Sequence, residues 1–381
     1  MPQTQSRRTP SPGSMDSGLP PVIRRGRGVA QNGANRFERL HRTACDDGWG
    51  TLDEEALAPP PVPTVLVRDA SRSAITWNDS ADIWFDRSIN TYRGCEHGCV
   101  YCFARPSHAY LGYSPGLDFE TKLVFKPEVA TLLEAELRRP GYEVRPIALG
   151  TNTDPYQPVE RTLRLTRAVL EVLERFGHPV SIVTKSANVV ADLDILARMA
   201  GKGLARVYLS VTTLDASLAR RMEPRASTPS LRLAAIARLA SAGIPTGVLA
   251  APMIPGLNDA ELERILEAAS RHGAGEAAFT LLRLPLELRE MMQTWLEQHY
   301  PQRARHVLNL IRETRGGALN DARPHERFRG QGAYAELLGR RFHRAARQYR
   351  LEGRATLDCT RFAVPGRPAQ TLDDGQLSLF G

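Results

Sequence analysis

Three cysteines stand within eight residues, Cys95-Glu-His-Gly-Cys99-Val-Tyr-Cys102, and their spacing is C-x3-C-x2-C. Three thiolates on one short loop can each hold one iron of a cubane cluster and leave the fourth iron open. Iron–sulfur clusters are usually closed by four cysteines, so a missing fourth ligand leaves a coordination site for a small chelating molecule. A zinc site is the alternative: it needs four closed ligands, and His97 or His108 could complete one. Zinc motifs usually add a second ligand pair further on, and none follows here. A disulfide framework does not suit a chain of 381 residues with five cysteines and a large apolar content. The remaining two, Cys45 and Cys359, read as small buried hydrophobes.

The three-cysteine spacing with an aromatic residue, Tyr101, just before the last cysteine resembles the signature of the radical SAM superfamily. That resemblance implies a 4Fe-4S cluster on Cys95, Cys99 and Cys102. Its open iron would chelate the amino and carboxylate groups of S-adenosyl-L-methionine. It also implies reductive cleavage of that cofactor to a 5′-deoxyadenosyl radical, with an electron donor such as flavodoxin or ferredoxin.

Composition sets the frame for this chemistry. The chain is 42% hydrophobic and 24% charged, with a formal net charge of +8. That length supplies two or three domains, or one large α/β domain with appendages. No apolar run approaches the ~20 residues of a membrane span, and Met1–Gly28 lacks the apolar stretch of a secretory signal. A reduced cytoplasmic setting is expected. The positive balance points to an anionic partner, nucleic acid first.

From Ser88 onward short apolar runs alternate with helical periods. Ser88–Tyr92, Pro146–Gly150, Val180–Thr184, Val207–Thr212 and Thr246–Ala251 read as buried strands. Between them run the stripes Val129/Leu132/Leu133/Ala135/Leu137, Leu163/Leu165/Val169/Leu170/Val172/Leu173, Leu231/Leu233/Ile236/Leu239/Ala240 and Leu262/Ile265/Leu266/Ala269. Such alternation predicts an α/β fold with a parallel sheet, and the count fits a partial (β/α)6 barrel, the architecture of radical SAM cores. The expected organisation is a disordered basic N-terminal segment and linker at 1–63, a core domain at 77–314, an α-helical C-terminal extension at 315–364 and a flexible tail at 365–381. Within the first segment Arg24-Arg25-Gly26-Arg27-Gly28 is either a solvated basic patch or a phosphate contact.

In a β/α barrel function sits at the C-terminal ends of the strands. There the sequence places Thr153 and Asp154 after the second strand, Lys185 closing the third, and Ser210 in the fourth. An unpaired ammonium is costly to bury, so Lys185 calls for an anion, and the methionyl carboxylate is available. Asp154 could hold a ribose hydroxyl or the methionyl ammonium, or serve only as a turn residue before proline. The loop Pro252–Asp259 either lays backbone along the adenine edge or is a plain turn capped by Asn258 or Asp259. Over about Trp77 to Thr314 these positions resemble the branch related to spore photoproduct lyase. In that family a Ser-Asp pair, a lysine and a serine at these places contact S-adenosylmethionine. The resemblance makes Tyr101, Thr153, Asp154, Lys185 and Ser210 cofactor-binding candidates. It also carries a departure: Asn152 stands where the lyase has a hydrogen-donating cysteine.

The C-terminal third is rich in arginine. Arg340, Arg341, Arg344, Arg347, Arg350 and Arg354 fall on one expected helix whose apolar face is Leu337, Leu338, Phe342, Ala345, Ala346 and Tyr349. It is either a phosphate-binding stripe or a solvated face balanced by Glu336 and Glu352. The chain closes on Gln376-Leu-Ser-Leu-Phe380-Gly381. Residues 376–380 resemble the pentapeptide by which bacterial polymerases and repair proteins bind the sliding clamp, with Gln376, Leu377, Leu379 and Phe380 as its contacts; a tail folded back on the core is the alternative. The sequence thus points to a radical SAM enzyme acting on nucleic acid in a DNA-repair setting. Its rivals are a radical SAM enzyme that modifies RNA or protein, and a non-enzymatic iron–sulfur protein that binds nucleic acid.

Overall fold

The computed structural model describes residues 27–29, 32–33, 35–38 and 62–366. Arg24, Arg25, Cys45 and the tail residues Gln376, Leu377, Leu379 and Phe380 lie outside the described residues. In chain order the strands are β1 (Val65–Arg68), β2 (Ile75–Trp77), β3 (Arg87–Ile89), β4 (Tyr92–Arg93), β5 (Lys122–Phe125), β6 (Ile147–Leu149), β7 (Val180–Thr184), β8 (Ala205–Ser210), β9 (Thr246–Met253) and β10 (Glu276–Leu281). One sheet has the order β2-β3-β6-β7-β8-β9-β10 and a second has the order β1-β5-β4. From β3 to β10 each neighbouring pair in the large sheet is parallel, and β2 adds an antiparallel edge. An α/β fold with a mostly parallel sheet is therefore present, and it is consistent with a partial barrel.

The strands are short and apolar because both of their faces are covered. Ile147, Leu149, Val180, Ile182, Val207, Leu209 and Val248 are each at most 1% exposed. The helices Leu165–Arg175, Leu193–Ala200, Pro229–Ser241 and Leu262–Arg271 contribute their apolar stripes to the same core. Local signals start and stop them. Thr228 accepts from Leu231 N ahead of Pro229 at the first helical position, and Asp215 caps the helix Ala216–Met222.

Several expectations are corrected in detail. Ser88–Tyr92 is not one strand. The chain leaves the large sheet at Asn90, whose Oδ1 accepts from Thr151 Oγ1 and Asn152 N, and Tyr92 then pairs in the small sheet. The side-chain bonds offer the backbone an alternative to the ladder. The fourth strand spans Ala205–Ser210, two residues earlier than the expected Val207–Thr212. In the helix Pro229–Ser241, Leu231 is 54% exposed and Arg232 is buried in its place; Ala135 likewise is exposed while Glu136 is buried.

The arginine-rich helix exists as Gly332–Gln348 and buries Ala335, Leu338, Phe342, Ala345 and Ala346 in the main core. Leu337, expected on the apolar face, is exposed. Arg350 and Arg354 lie beyond the helix, which stops before Arg350 enters the left-handed region at φ 55°. The arginines are not one free stripe either: Arg341 is bidentate to Glu263.

Candidate active site at the C-terminal ends of the strands

The cysteine loop begins at Gly94, which has φ +83° and takes the chain out of β4. A Cβ there would stand 2.9 Å from both Leu123 Cδ2 and Phe119 O, so glycine is required. Backbone and side-chain bonds then fix the loop on several sides. Cys95 N donates to Phe119 O (2.9 Å), Val100 N donates to Met222 O (2.9 Å), and Arg225 N donates to His97 O (3.2 Å). Gln157, fully buried, accepts from Glu96 N at 2.8 Å. Arg105, also fully buried, donates to Cys99 O at 2.8 Å and pairs with Glu120 at 2.5 Å.

Glu120 in turn reaches outward. Its Oε2 accepts from Gly28 N at 3.0 Å, and Arg27 donates to its carbonyl at 3.0 Å. Arg27 is thus not part of a solvated basic patch: its guanidinium is held against the cysteine loop and also donates to Val62 O. Val29 packs with Cys99, Val100 and Tyr101. A short strap from the N-terminal region therefore covers one side of the loop.

All three thiols are free, and all three line one cleft with Phe103, Asn152, Asp154 and Lys185. Cys95 and Cys99 are buried and Cys102 is half-buried. Burial pushes the Cys99 thiol up to about 12, with Lys185 pulling it down and Glu223 and Cys102 pushing it further up. Burial, Asp154 and the other two thiols together push Cys95 well up. Bare thiolates at Cys95 and Cys99 are therefore costly here, and a cationic iron–sulfur core relieves that cost by holding them deprotonated. Among the described residues no three His, Cys, Asp or Glu side chains are placed to close on one metal ion. A cubane asks less of the loop, because each sulfur takes its own iron. The donor set fits the cluster.

Thr153, Asp154 and Lys185 gather at the same cleft, and Ser210 does not line it. Gly150 ends β6 with φ +86°, and a Cβ would come 1.9 Å from Val183 O, so only glycine lets the following loop lie against β7. Asp154 on that loop is 9% exposed at its side chain. It accepts from Thr184 Oγ1 (2.6 Å), Lys185 N (2.7 Å) and Tyr156 N (2.9 Å), and it faces His97 Nδ1 at 3.3 Å. Burial would raise this carboxyl, but His97 and the Lys185 and Thr184 hydrogen bonds outweigh it and hold the group at about 2. Both of its oxygens are committed to the protein. Thr153 is buried and donates to Tyr92 O, and Ser210 is buried and donates to Ala251 O.

Lys185 differs from these. Its Nζ stands 5.7 Å from the Tyr101 ring centroid and makes no hydrogen bond or ion pair among the described residues. Tyr101 is buried, with its hydroxyl on Glu223 and 3.3 Å from Thr212 Oγ1.

Asn258, fully buried, braces the loop Pro252–Asp259. Its Nδ2 donates to Thr212 O (2.7 Å) and Pro252 O (3.0 Å), and its Oδ1 accepts from Ile254 N (2.6 Å). It acts as an internal brace, and neither Asn258 nor Asp259 is a side-chain helix cap.

Sequence reasoning missed two features of the site. One is the buried pair Glu223–Arg232 beneath Tyr101, where Arg232 also donates to Ser210 O at 2.9 Å. A polar residue interrupting an otherwise apolar helical stripe was its signal. The other is Arg283, just past β10. Its guanidinium carbon lies near the rings of Phe103 and Phe328, with centroids at 5.2 and 4.9 Å.

Comparison with known proteins follows the same lines. The radical SAM superfamily profile matches residues 89–269. Uncharacterized protein Rv2578c of Mycobacterium tuberculosis is 36% identical over 277 residues, covering 72% of this chain and 78% of that protein. Uncharacterized protein MJ0683 of Methanocaldococcus jannaschii is 27% identical over 214 residues, covering 56% of this chain and 76% of that protein. Among solved structures, spore photoproduct lyase complexed with a dinucleoside spore photoproduct superposes with a TM-score of 0.53 at 20% identity, covering 74% of this chain and 79% of that one. At that identity the likeness is one of fold.

Proposed function

The chain belongs to the radical SAM superfamily, and on that premise we propose that it acts on nucleic acid, DNA in a repair setting first. Cys95, Cys99 and Cys102 would hold a 4Fe-4S cluster, which would supply the electron for cleavage of S-adenosyl-L-methionine to methionine and a 5′-deoxyadenosyl radical. The chain's own residues bind, orient and exclude water. Lys185 holds the methionyl carboxylate, as the cation of the cleft without a partner among the described residues. Asp154 is a positioning residue: it fixes the Lys185 backbone and the His97 side of the cysteine loop. Thr153 lines the pocket, and Ser210 and Tyr101 lie outside its lining, all three with their hydroxyls turned into the protein.

One observation supports the nucleic-acid reading most. Beside the cysteine loop, Arg36 lies over the rings of Phe37 and Tyr110 at 4.8 and 5.0 Å, and those rings are 56% and 74% exposed. Arg36 is paired with Glu287 and donates to Pro106 O, so this is an aromatic platform and not a free charge. Exposed aromatic rings stack on any nucleobase, at about 1–3 kcal/mol per base. The shared fold with a lyase solved on a dinucleoside photoproduct points the same way. The lyase's own hydrogen-transfer route is not carried over. Asn152 lines the cleft where that family has its cysteine, and Cys359 lies at the other end of the strands, next to Asp358, whose N donates to Gly203 O.

The test is 5′-deoxyadenosine formation by anaerobically reconstituted protein, with undamaged and ultraviolet-damaged DNA, RNA and peptides. Stimulation by DNA is expected; stimulation by RNA or peptide alone turns the substrate to the rival class. In the same assay Lys185→Ala should raise the S-adenosylmethionine dissociation constant by about 10- to 100-fold, the loss expected of one charged hydrogen bond of ~1.5–3 kcal/mol, with iron content retained.

A further inference from the structure

Arg283 lies at the exit of β10, behind a wall of the cleft. Its guanidinium carbon lies 5.2 Å from the ring centroid of Phe103, which follows Cys102 and lines the cleft, and 4.9 Å from that of Phe328. No side-chain hydrogen bond or ion pair of Arg283 exists among the described residues, and its Nε is buried without a partner. Its neighbours make this worse. Arg315 donates to the carbonyls of Glu326 and Leu282, and Arg327 takes both oxygens of Asp82. Asp82 is the carboxylate beside Arg283, and Arg327 consumes it. Burial, then Arg327 and Arg315, depress the Arg283 guanidinium to about 10.

A half-buried cation among cations, in contact with two aromatic rings and with its N–H groups unpaired, is unfavourable unless an anion arrives. Contact with the two rings also limits the freedom of the fork, so less entropy is lost when it binds. From this arrangement we propose that Arg283, held against Phe103 and Phe328, is a phosphodiester-binding subsite that receives a nucleic-acid strand beside the Phe103 wall of the cleft. The inference rests on the nucleic-acid reading above and adds to it one contact. The same guanidinium could take a carboxylate, but the exposed rings of Phe103, Tyr110 and Phe37 offer bases a stacking surface that an acidic peptide does not use.

The test is fluorescence anisotropy of the reconstituted holoprotein with a labelled single-stranded DNA oligonucleotide, titrated over salt, with poly-glutamate as competitor. Arg283→Met keeps a long side chain against the rings and removes the charge. It should weaken binding about 10- to 100-fold at low salt and lower the log–log salt slope by about 0.7, the loss of one single-strand phosphate contact. Arg283→Lys keeps the charge but neither the fork nor the stack, so its slope should stay near that of the unsubstituted protein while its affinity falls. Iron content and thermal unfolding report whether each variant folds. If Arg283→Met does not hold its cluster, Arg283→Lys decides: reduced affinity at an unchanged slope supports the subsite, and unchanged affinity overturns it. Equal affinity and slope for Arg283→Met and the unsubstituted protein overturn the subsite and leave the nucleic-acid reading standing. No DNA binding by the unsubstituted protein overturns both. Displacement of the DNA by poly-glutamate that depends on Arg283 makes the ligand a carboxylate and overturns the phosphodiester assignment.

Discussion

Glu160 shows what a single buried carboxyl does to this fold. It is 6% exposed, its Oε1 accepts from Thr166 N at 2.7 Å, and the Tyr92 hydroxyl bonds its other oxygen. Burial pushes the group up to about 7, against the pull of its hydrogen bonds. A carboxyl raised in the folded state ionises first in the unfolded chain. Stability is therefore full below the unfolded value near 4.5, falls as pH rises through about 7 and levels off above it, by up to about 3 kcal/mol. Glu160→Gln keeps a carbonyl oxygen for Thr166 N and an amide beside the Tyr92 hydroxyl without ionising. The melting temperature of the unsubstituted protein should drop relative to that of Glu160→Gln between about pH 5 and about pH 8. A difference that stays constant across that interval contradicts the assignment.

This residue was not legible in the sequence, and neither was Arg232. Their burial depends on partners 68 and 9 residues away, and a break in the apolar stripe of its helix marks Arg232 without naming that partner. The three cysteines and Lys185 were legible because their chemistry is local: a spacing in one case, a charge closing an apolar strand in the other.

Elements read from the sequence held where periodicity was strong and failed where a side chain captured the backbone. Val180–Thr184 falls on the residues expected of it, since five apolar or small residues between turn signals have one buried arrangement. Asn90 split the first strand, and the small sheet of β1, β4 and β5 was missed because its strands are only two to four residues long. The strap at Arg27–Val29 was read as basic patch because its arginine is indistinguishable in sequence from a solvated one.

Its fit over the loop is close: a Cβ on Gly28 would lie 1.6 Å from Gly98 O. Gly28→Ala must lift the strap and break the Gly28 N–Glu120 bond. A hydrogen bond to a carboxylate is worth about 1.5–3 kcal/mol, enough to shift the closed-to-open ratio of the strap tenfold or more. The variant should take up the same iron under anaerobic conditions and then lose its cluster absorbance faster in air. Equal bleaching rates would show that the strap does not shield the loop.

At the scale of the whole molecule the two ends of the sheet are divided between tasks. The cleft occupies the C-terminal ends of the strands, and the chain after the last long helix closes the N-terminal ends. Ala277 N donates to Leu351 O, Gly353 N to Gly275 O, Asp358 N to Gly203 O and Ala363 N to Phe176 O. Arg206 donates to Ala355 O, and Arg138 to Pro365 O. Phe362 packs on Tyr142, Phe176 and His178. The chain thus leaves the described core at Gly366 on the side away from the cysteines. The nine residues from Arg367 to Gly375 can span about 30 Å, so a partner held by Gln376, Leu377, Leu379 and Phe380 need not obstruct the cleft.

We propose the bacterial sliding clamp as the partner, for which Leu379 and Phe380 would be apolar anchors worth about 1.5–3 kcal/mol each when buried. Such an attachment would raise the local concentration of DNA without altering the site. Deleting Gln376–Gly381 should abolish clamp binding in a surface-plasmon assay while S-adenosylmethionine cleavage in solution continues at the same rate. Deleting from Leu351 onward should instead lower the melting temperature, because it strips the hydrogen bonds that close the strand ends. Clamp binding that survives the short deletion, or is absent in the full chain, removes the replisome as the setting and leaves the basic, aromatic rim of the cleft as the enzyme's route to nucleic acid.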